Sequence, residues 1–151
     1  MYTNKLSRRE MLAMTGALSA AFLLPAGNVM AASTAASTIT LTTDEKNDLA
    51  FMREEEKLAR DVYLTLHGIW GAPVFANIAS SEQQHMDAIL DLLNLYKLPD
   101  PAAGKLIGEF ANAELQALYE ALVARGKKSA LEALMVGGVI EETDIEDINA
   151  A

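Results

Sequence analysis

The chain has no cysteine, one tryptophan and two histidines among 151 residues, and aromatic residues make up only 6% of it. Without thiols there is no disulfide, no zinc-thiolate centre and no iron-sulfur cluster, so any metal must be held by oxygen and nitrogen donors. Basic residues are scarce as well: 12 Lys and Arg stand against 21 Asp and Glu, a formal net charge of −9. That balance speaks against nucleic acid and anionic membrane partners, whose affinity rests on Lys and Arg, and it suits cations. No stretch alternates as a strand would and no repeat is evident, which leaves an all-α chain of one domain.

What is present begins with a leader. Lys5, Arg8 and Arg9 precede an apolar run from Met11 to Leu24, and Val29-Met30-Ala31 offers small residues at a cleavage spacing. Residues 1–31 therefore read as a signal peptide. The Ser7-Arg8-Arg9 start resembles a twin-arginine export signal, although Met11 and Ala13 stand where that signal commonly has Phe and Lys. Pro25, Gly27 and Asn28 cut the apolar run short of a membrane span. Cleavage leaves nine basic and twenty acidic residues and a protein expected in the periplasm or secreted, with no membrane attachment.

Residues 32–43, mostly Ala, Ser and Thr, read as a flexible lead, and 44–151 as the helical domain. Thr42 with Glu45 predicts a capping box for a first helix ending near Gly68. Pro73 suits the first turn of a second helix running to about Lys97. After a loop rich in Pro and Gly come a shorter helix from about Asn112 to Arg125 and a last one from Ser129 to about Ile148. Leu115, Leu118 and Leu122 read as core of the third helix.

Steps of three and four trace one seam per long helix, and each passes through a carboxylate. The seams read Leu49, Met52, Glu56, Ala59, Tyr63; then Ile78, Glu82, His85, Ile89, Leu92; then Leu131, Leu134, Gly138, Glu141, Ile145. Seam positions face a partner helix, so Glu56, Glu82 and Glu141 should point inward. Buried carboxylates are costly unless a positive charge lies between them, and a metal ion answers that need. Glu82 and His85, three apart, share a helix face and can offer one carboxylate and one imidazole to one ion. Asp144 can share the ion of Glu141.

Plainer readings stand beside these. One Glu-x-x-His among thirteen glutamates is weak evidence alone, and Arg60 could pair with Glu56 as a helix-surface bridge. His67 reads as a helix C-terminal cap, Glu142, Glu146 and Asp147 as a solvated face, and Tyr63 and Tyr96 as core aromatics.

The order of single Glu, Glu-x-x-His and single Glu resembles the ligand order of ferritin-like di-iron and di-manganese bundles. The segment EKLARDVY from Glu56 resembles the first helix of rubrerythrins, and Glu82-Gln83-Gln84-His85 their second-helix motif. The stretches MREEEKLARDVY, NIASSEQQHMDAILDLL, ELQALYEAL and VGGVIEETDIEDI together resemble an uncharacterised bacterial and archaeal ferritin-like family, domain of unknown function 2202. The resemblance implies a ferritin-like antiparallel bundle holding two iron or manganese ions that react with oxygen or peroxide. It carries no established activity. Members of that family continue into another helix, whereas this sequence stops at Ala151, so the expected bundle lacks its last helix. A second subunit, a shortened gene or Asp144 could each account for the missing wall. A metal-free helical interaction or envelope-stress module is the competing expectation.

Overall fold

The computed structural model describes residues 40–149, with side chains through residue 142. The leader at 1–31, most of the lead, and the side chain of Asp144 lie outside the described residues. Four helices follow in order: α1 (Thr43–Trp70), α2 (Pro73–Leu95), α3 (Ala113–Gly126) and α4 (Ala130–Asn149). The described chain is an all-α helical bundle without strands. No described helix is long and apolar enough to cross a membrane.

Local chemistry sets the ends. Thr42 accepts from the Glu45 N–H at 3.2 Å while the Glu45 carboxylate accepts from the Thr42 N–H at 2.7 Å, the reciprocal capping box. Helix α1 passes through Gly68 and stops three residues later, because Gly71 takes the left-handed conformation (φ 64°) and returns its N–H to His67. Pro73 then opens α2, so only Gly71 and Ala72 separate the two helices. So short a link makes α1 and α2 an antiparallel hairpin, the most extensive packing in the chain. Asn112 caps α3 by accepting from Glu114 and Leu115 N–H, and Ser129 accepts from Glu132 N–H at the start of α4.

Apolar side chains gather in two clusters. The larger contains Leu58, Val62, Tyr63, Phe75, Leu122 and Val136, and the smaller contains Leu41, Leu49, Met52, Ile89 and Leu93. Leu41, within the stretch expected as lead, is thus part of the core. Between the clusters α1 carries a buried polar segment that includes Arg53, Glu54, Glu56 and Lys57.

Two expectations about packing fail. Leu118 is 45% exposed, although Leu115 and Leu122 are buried as core. The inward face of α4 is Ala133, Val136, Gly137 and Ile140, while Leu131 and Leu134 are exposed. Size decides the register. The Tyr63 ring lies where a Cβ on Gly137 would come within 3.3 Å, so only the small face of α4 fits against α1.

Candidate metal centre

Glu56 stands about four turns before the end of α1, and Glu82 and His85 about three turns after the start of α2. The antiparallel hairpin brings them to one height. One donor atom from each lies within 4.8 Å of the other two. Glu56 is fully buried, Glu82 is 3% exposed, and the His85 side chain, 42% exposed, covers both carboxylates from the solvent side. His85 Nδ1 is 3.0 Å from Glu82 Oε2 and 3.4 Å from Glu56 Oε2.

The charges are strongly linked. Burial pushes the Glu82 carboxyl up, and the adjacent Glu56 adds to that rise against the opposing pull of His85. Hydrogen bonds to Glu56 and then Glu82 raise His85 to about 10, more than offsetting its partial burial. At neutral pH the imidazole is therefore a cation lying over two carboxyl groups. Two ligands about 2.1 Å from one ion at tetrahedral or octahedral angles are roughly 3.0–3.4 Å apart. The separations from Nδ1 to the two carboxylates fall in that span. Oxygen, oxygen and nitrogen donors fit zinc, iron or manganese, so the residues present suit a divalent ion.

Glu141 is not part of this group. It lies exposed on α4, and its Oε1 accepts the Tyr63 hydroxyl at 2.7 Å. The cause is the α4 register: with Gly137 and Ile140 inward, Glu141 falls at the margin of the helix interface. Among the described residues the group therefore comprises Glu56, Glu82 and His85. Arg60 is engaged elsewhere, donating to Asp61 and to Gln83 Oε1. His67 lies in the last turn of α1, as expected, but its Nδ1 is 3.1 Å from the carbonyl of Ala72 in the link to α2, not from a terminal carbonyl of α1.

Several buried polar residues around the site lie off the three-four seam. Glu54, off the seam yet 4% exposed, accepts from the Ala111 and Asn112 N–H groups just before α3. Lys57 donates to Asp61 and the Leu106 carbonyl and lies 4.6 Å from the Phe110 ring centroid. Asp61 also accepts from Gly108 N–H. Arg53 grips Asp100 through two bonds of 3.1 Å and donates to the Met86 carbonyl. These side chains fasten the long α2–α3 connection to the back of α1 and so fix the helix that presents Glu56. The i, i+4 spacing of Lys57 and Asp61 was the available sequence signal.

Residues 45–151 match the model of an uncharacterized protein domain, DUF2202. The uncharacterized protein MJ0754 of Methanocaldococcus jannaschii is 52% identical over 108 residues, which take in 72% of this chain and 58% of that protein. The chain thus spans less than two thirds of that relative's length. The crystal structure of the hypothetical protein MJ0754 from Methanococcus jannaschii is similar with a TM-score of 0.70 at 45% identity, over 85% of this chain and 67% of that one. Neither description assigns an activity.

Proposed function

Because the chain belongs to the uncharacterized DUF2202 family, which supplies no activity, we propose from its geometry that it binds a divalent transition metal through Glu56, Glu82 and His85. The observation that carries this reading is the convergence of two buried carboxylates and an imidazole from facing helices within 4.8 Å. Two carboxylates at this depth keep both their charges only with positive charge between them, and a divalent ion supplies more of it than one imidazolium. Glu56 and Glu82 would donate oxygen, and His85 would donate nitrogen after losing its proton. The buried polar segment of α1 keeps the Glu56 backbone in place, which holds the donor spacing before any ion arrives.

The likeness to rubrerythrins in the 56–63 and 82–85 segments supports a more specific role, a ferritin-like iron or manganese centre with oxygen or peroxide as co-substrate. Such a centre, when bound, would supply redox chemistry that the side chains lack. A second ion would draw on donors beyond these three, for which Glu141 and Asp144 on α4 are the candidates. The Ser-Arg-Arg leader supports export to the periplasm or beyond, with the metal inserted before transport.

One observation favours a metal-free module instead: His85 already bridges both carboxylates as an imidazolium, a closed ion triad. Elemental analysis separates the two. Protein purified from the exported fraction should carry about one iron, manganese or zinc per chain, and Glu56→Gln or His85→Ala should lower that at least about tenfold. Metal below about a tenth of an ion per chain, after attempted reconstitution, would reject the metal reading.

A further inference from the structure

We propose that the outer face of α4 is a homodimer interface, in which two copies of this chain pair their α4 helices antiparallel about a two-fold axis near Met135. Leu131, Leu134, Met135 and Val139 follow steps of three and four and form one stripe, exposed by 67, 54, 39 and 40%. Leu118 of α3 continues the stripe across a shallow apolar cleft that it lines with Val139. Together these five expose on the order of 450 Å² per copy, about the largest apolar patch a monomer carries. Two copies face to face would bury roughly 900 Å² from these residues alone, close to the ~1,000 Å² of a stable interface before flanking residues are counted.

The charges at the ends of the stripe identify the occupant. Lys127 and Lys128 are exposed just before α4, and Glu142 is exposed three residues after Val139. Antiparallel pairing about Met135 sets Leu131 opposite Val139 and Lys128 opposite Glu142, and the two-fold axis makes each contact twice. Parallel pairing would oppose lysine to lysine and glutamate to glutamate. The surface is thus complementary to itself in one orientation. Gly138 fits the same arrangement: a Cβ there would meet nothing within 4 Å in its own chain. A helix-interior glycine costs about 0.5–1 kcal/mol relative to alanine, and close approach of a second helix gives that cost a purpose.

Sedimentation equilibrium of the full chain tests the pairing. Wild type should be dimeric at about 10 μM, and Leu134→Lys should raise the dissociation constant at least about 100-fold with helical circular dichroism unchanged. Lys128→Glu alone should weaken the dimer about tenfold, and Lys128→Glu with Glu142→Lys should restore it to within about threefold. A wild-type monomer at about 100 μM, the result also expected if other residues of the chain cover this face, overturns the proposal. So does a dimer indifferent to Leu134→Lys, or a double charge swap no tighter than the single one. The swap tests surface residues only, so it remains decisive if Leu134→Lys disturbs the fold.

Discussion

The proton on His85 should make metal affinity strongly dependent on pH. With Glu82 and Glu56 as acceptors at 3.0 and 3.4 Å, His85 is raised from 6.5 to about 10 and is a cation at neutral pH. Donation of its ring nitrogen to an ion requires loss of that proton first. A group held three pH units above the medium weakens apparent affinity by up to ~10³ at pH 7. The His85 side chain is 42% exposed, however. Solvent screening at such a site brings the factor toward ~10², or about 3 kcal/mol.

Apparent affinity for Mn²⁺ or Zn²⁺ should therefore rise about tenfold per pH unit from about pH 6.5 to 8.5, with about one proton released per ion. Calorimetric titration of metal-free protein in two buffers of different ionisation enthalpy reads both quantities. Glu82→Gln removes one acceptor of the His85 proton and should flatten the slope while also weakening binding. An affinity constant across the range, with less than about 0.3 proton released, would refute the assignment of His85 as a ligand that must first deprotonate.

Other perturbations follow from the same geometry. Glu141→Gln should leave affinity for the first ion within about threefold in the same titration, since Tyr63 holds that carboxylate outside the triad. Lys57→Met strips a buried cation from Asp61 while Arg60 and Gly108 N–H remain, and should cost about 3 kcal/mol in urea unfolding; a loss below about 1 would contradict the buried network. Burial raises the Asp100 carboxyl, but hydrogen bonds from Arg53 and Ala102 N–H outweigh it and hold the group below its ordinary 3.8. Its stabilisation is thus present above about 3.8 and lost as pH falls through the lower folded value, and Asp100→Asn should flatten stability on that acid limb. Gly137→Ala meets the Tyr63 ring at 3.3 Å and should destabilise by about 1–2 kcal/mol, whereas Gly138→Ala, in open space, should stabilise the monomer by up to about 1.

The sequence disclosed most where both sides of a contact lie close in the chain. The Thr42 cap, the start of α3 near Asn112, the Pro73 start and the grouping of Glu56, Glu82 and His85 all depend on local spacing plus one tight hairpin. Arg53, Glu54, Lys57 and Asp61 obey no seam because α1 is covered on more than one side: α2 packs on one, and the loop through Leu106, Gly108 and Ala111 crosses another. That loop's N–H and carbonyl groups need partners, and α1 supplies them with charged side chains. A three-four pattern records one buried face and is blind to where a long connection travels. The first helix was expected to stop near Gly68, but it continues to Trp70, and the stop comes at Gly71, where φ is positive.

The failure at α4 has a different origin. Leu131, Leu134, Gly138 and Glu141 kept a seam's spacing, yet the face the bundle buries is Ala133, Val136, Gly137 and Ile140. A helix with small residues on one face and large apolar residues on the next has two packing surfaces, and composition does not say which meets its own chain. The inner surface had to be the small one, because Tyr63 fills the space beside it. Leucines left outside cost a soluble protein solubility unless they too are covered. The seam that was expected to turn a third glutamate inward is therefore a surface facing outward, the one for which a second copy of this chain is proposed as partner.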